Sequence, residues 1–114
     1  MNIVDKGMGN LYRQIIDHYG LKKQLKYIHS EYFELDEAIF EYENSGWDFD
    51  YEDAKDLEKE YRNHIAEEIA DIEVMLCQLI VYYDIPPKDI DNIKMFKVQR
   101  QLERIKKEGE DKDE

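Results

Sequence analysis

"HIAEEIADIEVML" (residues 64–76) sets Ile65, Ile69, Ile72 and Leu76 at alternating spacings of four and three, the period of one helix face. Leu79 and Tyr83 continue the stripe. Glu68 and Asp71 stand one turn apart directly beside it. Acids on a helix normally face water. Here two of them border residues that should be buried, so they are either ordinary boundary charges or ligands that share a cation. A second stripe, Ala66, Ala70, Val74, Cys77 and Val81, runs along the same segment. Two apolar faces imply cover from more than one side, so this helix, spanning about Asp53 to Tyr83, is expected at the centre and at a subunit interface.

Working outward, the preceding helix shows the same period in Leu21, Leu25, Ile28, Tyr32, Leu35, Ile39 and Tyr42, and stops where Asn44, Ser45 and Gly46 break it. A short helix over about Asn10 to His18 should close at Gly20 as a C-terminal cap. Downstream, Pro86 and Pro87 end the central helix, and Pro87 suits the first turn of the next one. That last helix, "KDIDNIKMFKVQRQLERIKK", becomes basic, with Ile93, Phe96 and Ile105 expected to pack inward. The tail, residues 108–114, lacks apolar side chains and is expected to be disordered. The expectation is one all-α domain over residues 1–107, an antiparallel bundle of about four helices completed by oligomerisation.

Composition narrows the function. A net charge of −12, from 28 acidic and 16 basic residues among 114, opposes binding to nucleic-acid polymers or anionic membranes, both polyanions. Small anionic ligands remain open to it, given a divalent cation or a local basic cluster. Cys77 is the only cysteine and sits among Val74, Leu79 and Val81. It reads as a buried thiol in a protein of the reducing cytoplasm. No signal peptide is expected, and the longest apolar stretch, Leu79 to Tyr83, is too short to span a membrane.

Glu31 and Glu34 repeat the arrangement of Glu68 and Asp71: each precedes a stripe residue, Tyr32 or Leu35, and the two are spaced i,i+3. If the two helices pack through their stripes, four carboxylates converge. They would repel strongly without a cation, and hard oxygen ligands suit Mg²⁺, with Mn²⁺ possible. The plainer reading is that i,i+3 acid pairs arise by chance in so acidic a chain and face water. A di-iron site needs Glu-x-x-His, but His18, His29 and His64 follow Ile15, Lys26 and Tyr61 at that offset. No phosphate-binding glycine loop, CxxC or nucleophile elbow is present.

"QLKYIHSEYFELDEAI" followed by "EEIADIEVMLCQL" resembles the MazG-like, all-α nucleoside triphosphate pyrophosphohydrolases, which include the dimeric all-α dUTPases. Their ExxE and ExxD motifs map onto Glu31, Glu34, Glu68 and Asp71, over roughly Leu21 to Tyr83. The resemblance implies a Mg²⁺-dependent enzyme, a homodimer or homotetramer, that cleaves an NTP or dNTP to the monophosphate and pyrophosphate. The four acids would be its metal ligands and catalytic residues, with Glu34 or Glu31 able to accept a proton from water. Many members carry a further Glu where this chain has Ser30, and the stretch between Glu34 and Glu68 is longer than usual. For the phosphates, Lys94, Lys97 and Arg100 step by three along the last helix, either as binding groups or as a solvated basic face; Lys22 and Lys23 are weaker candidates. Gln24, one turn before Tyr27 on the acid face, is placed to touch base or sugar. Trp47, Phe49 and Tyr51 are either base-stacking or core-packing groups. The rival from another class is a non-catalytic helical interaction protein that retains the fold.

Overall fold

The computed structural model describes residues 7–45 and 51–112, and the side chains of 7–45 and 54–110. Four helices follow in order: α1 (Gly9–Tyr19), α2 (Leu21–Asn44), α3 (Tyr51–Tyr82) and α4 (Pro87–Lys112). No strand occurs among the described residues. Trp47, Phe49 and the side chain of Tyr51 lie outside them, as does most of the α2–α3 connection.

Gly20 alone separates α1 from α2. Its φ of +88° and ψ of 149° belong to a region that side-chain-bearing residues rarely enter. Its N–H donates to the Ile16 carbonyl at 2.7 Å, closing α1, and its own carbonyl accepts from Gln24 N–H, opening α2. One residue thus performs both caps. The C-terminus of α3 closes differently. Ile85 N–H donates to the Ile80 carbonyl and Asp84 N–H to that of Val81, a Schellman pair with Asp84 at φ +53°. Arg13 of α1 bridges to this turn, donating to the Val81 carbonyl at 2.6 Å and to Asp84 Oδ1 at 2.8 Å.

Helices α2 and α3 pack antiparallel, as the pairs Tyr42–Glu58 and Gln24–Gln78 require, with α1 laid across α3. The apolar core is small: Ile16, Ala38, Met75, Cys77 and Ile80 are buried. Cys77 is buried as its neighbours implied. The packed seam of α2 is rotated from the expected stripe. It runs Gln24, Ile28, Glu31, Leu35, Ala38 and Tyr42, while Leu25, Tyr32 and Ile39 are exposed. On α3 the seam is Ile65, Glu68, Ile72, Met75 and Leu79, leaving Ile69, Val74 and Leu76 exposed. Glu31 and Glu68 are not beside the packed face; they are on it.

Helix α4 departs furthest from expectation. It shares no packed face with the other helices among the described residues. Ile93, Phe96 and Ile105 therefore do not pack inward; they are exposed. The helix also runs on through Lys112, into the segment expected to be disordered. Glu and Lys have good helix propensity and extend a solvated helix without needing a packed face. No described helix is long and apolar enough to cross a membrane.

Candidate metal and ligand site

Besides Glu68, the α2–α3 contact and its edge carry two matched polar pairs. Gln24 and Glu31 are seven residues apart on α2, as are Asp71 and Gln78 on α3, so each pair lies on one helix face. The antiparallel register sets Gln24 against Gln78 and Glu31 against Asp71. Together they line one cleft of about 340 Å³, walled by Ile15 and Tyr19 of α1, Lys23 and Tyr27 of α2, and Val74 and Met75 of α3. The cleft is apolar at one end, acidic at the other, with a fixed amide pair between.

At the acidic end one carboxylate oxygen each from Glu31, Glu68 and Asp71 lies within 4.8 Å of the others. Glu34, exposed at the rim, is within hydrogen-bonding reach of both Glu31 and Glu68. All four acids singled out in the sequence therefore come together. Burial, then the charges of Glu34, Asp71 and Glu68, push the Glu31 carboxyl up to about 7. Glu68 is raised for the same reasons, burial first, with His64 opposing. Glu31 Oε2 and Glu68 Oε2 are sealed from solvent, yet no described residue donates to them. Buried carboxylate oxygens are normally satisfied, so two orphans in one cluster call for either a proton shared among the acids or a cation between them. The donor set fits a hard divalent ion: ligands on opposite sides of Mg²⁺ are about 4.2 Å apart, so small side-chain shifts would close the cluster on it.

The amide pair is equally defined. Gln78 Nε2 points to the Val74 carbonyl at 3.4 Å, an acceptor only, which leaves its Oε1 to accept from Gln24 Nε2 at 2.7 Å. Gln24 is thus in the cleft as expected, though its amide is committed to α3 rather than free. The expected cations are not. Lys94, Lys97 and Arg100 are exposed on α4 and line no part of this cleft, because α4 does not pack on the body of its own protomer. The cleft's lysine is Lys23, with Nζ 5.2 Å from the Tyr19 ring centroid.

The sequence reading does not single out Gln78, and it considers His64 only as a di-iron ligand, which it rejects. Gln78 had a legible signal, a polar residue two turns beyond Asp71 on the same face. His64 had one too, since it precedes Glu68 by one turn of α3 and stands 3.4 Å from it, but its approach to Glu41 of α2, at 3.7 Å, depends on how the two helices meet. In comparisons with known proteins, no family model, no curated protein and no solved structure matches the chain.

Proposed function

We propose that the chain is a Mg²⁺-dependent nucleoside triphosphate pyrophosphohydrolase of the MazG-like kind, yielding a nucleoside monophosphate and pyrophosphate. One observation carries the reading: two sealed, unpartnered carboxylate oxygens, Glu31 Oε2 and Glu68 Oε2, within a converging acid cluster at the end of a cleft. Glu31, Glu68 and Asp71 would hold the ion, with Glu34 at the rim. Bound there, Mg²⁺ would supply charge neutralisation for the phosphates and lower the pKa of a bound water.

The protein's own groups do the rest. Tyr19 and Tyr27 offer ring faces to a base, and the Gln24–Gln78 pair offers fixed polar atoms beside it. Lys23 meets the triphosphate charge at the cleft wall. Water attacks the α-phosphorus, its new P–O bond replacing the bond to the bridging oxygen, and pyrophosphate leaves with that oxygen. Glu34, exposed beside the cluster, accepts the water's proton. The rival reading, a non-catalytic assembly module, draws on the exposed apolar residues of α4. A panel of NTPs and dNTPs with Mg²⁺, scored for pyrophosphate release, separates the two. Release from at least one substrate is expected; a silent panel, with Mn²⁺ tried as well, would leave only the assembly module.

A further inference from the structure

Helix α4 carries an apolar seam with nothing on it. Met95, Val98, Leu102 and Ile105 follow at spacings of three, four and three, and are 72%, 56%, 60% and 63% exposed. Residues 93–107 bear six basic side chains against one acid, a local charge of +5 that leaves −17 on the rest of a chain of net −12. The body offers a matching strip. Phe33 and Phe40 lie two turns apart on the outer face of α2, 70% and 67% exposed, flanked by the exposed Asp36, Glu37 and Glu43.

Area argues the same way. The protomer exposes 9541 Å², whereas a compact chain of 13.8 kDa exposes about 6,600 Å². Permanent contacts cover about 1,000–2,500 Å² on each partner, so the excess of about 2,900 Å² is more than enough surface for one. Its radius of gyration, 18.8 Å, likewise exceeds the roughly 13 Å of a compact domain this long.

We propose that α4 of one copy docks, seam inward, on the Phe33–Phe40 strip of α2 in a second copy, basic helix against acidic body. Reciprocal docking under two-fold symmetry closes the assembly. The proposal does not depend on the catalytic reading, since none of these residues belongs to the cleft.

Light scattering and sedimentation on the full chain test it. The wild type is expected to be at least a dimer at tens of micromolar. Leu102→Asp in the seam and Phe40→Ser on the strip should each weaken association at least about thirtyfold, as loss of a central contact does. Val98→Ser repeats the test more gently, and circular dichroism shows whether each variant keeps its helices. Salt decides what α4 meets. Docking on an acidic body weakens as salt rises, whereas seam-to-seam pairing of two basic helices tightens. A monomeric wild type, a folded seam variant of unchanged mass, an indifferent Phe40→Ser, or association that tightens with salt would each overturn the proposal.

Discussion

Two glutamates at seam positions, Glu31 and Glu68, are the groups the proposed metal site needs, and their burial costs the fold stability. Glu31 titrates near 7 when folded, against about 4.5 in the unfolded chain. Between those values the folded state holds the extra proton, so stability falls as pH rises from about 4.5 to 7. Metal-free protein is therefore expected to melt lower at pH 8 than at pH 5.5. Mg²⁺ should raise the melting point more at pH 8, because binding must displace that proton. Equal shifts at both pH values would count against Glu31 as a ligand. Glu68→Gln keeps the shape and removes the charge. It is expected to hold or raise the metal-free melting temperature, abolish the Mg²⁺ shift, and cut turnover on the order of a hundredfold or more. Turnover like the wild type's would remove the metal-site argument. Lys23→Ala should raise KM roughly tenfold, the scale of one charge-assisted phosphate contact, with little change in melting.

At the scale of the element, α2 and α3 are held in register by the buried amide pair and by Tyr42 donating to Glu58 near the α2–α3 connection, where Arg62 of α3 also donates to Glu58. Gln78→Ala strands Gln24 in the seam and should cost about 1–3 kcal/mol in chemical denaturation. Replacing both glutamines by leucine should recover most of that loss, since no polar group is left unpaired. If the single and double variants are equally unstable, the pair is not the source of the loss. Gly20→Ala tests the α1–α2 joint. Open space surrounds the position, so a methyl group meets no neighbour and the cost is backbone strain alone, about 1–3 kcal/mol. The helices themselves were legible from the four-three spacing and from Gly20, Pro86 and Pro87. Their rotation was not. The apolar stripe of α2 passes through Leu25, Tyr32 and Ile39, but α3 meets the face one residue earlier, at Gln24, Glu31 and Ala38.

The whole molecule is an open arrangement, 47 × 45 × 25 Å, with a compact three-helix body and one unsupported helix. Docking of a second copy on α4, as proposed, would link stability to concentration. The melting temperature is expected to climb with protein concentration, and to stop doing so in Leu102→Asp. A wild-type melting point that ignores concentration would mean that the body is self-sufficient. Arg100→Ala belongs to this scale too. With α4 off the body of its own protomer, the substitution should leave the metal-free melting point at low concentration within about 0.5 kcal/mol of the wild type.

Periodicity, breakers and charge by themselves determined four helices and the four acids Glu31, Glu34, Glu68 and Asp71, because these are local features repeated along one chain. The cleft was decided by tertiary structure. Whether an acid borders a helix contact or lies within it depends on the angle at which two helices meet, and no single helix records that angle. The same limit explains α4: its apolar seam is written in the residues, but whether the seam is covered depends on surfaces that its own protomer does not bring to it.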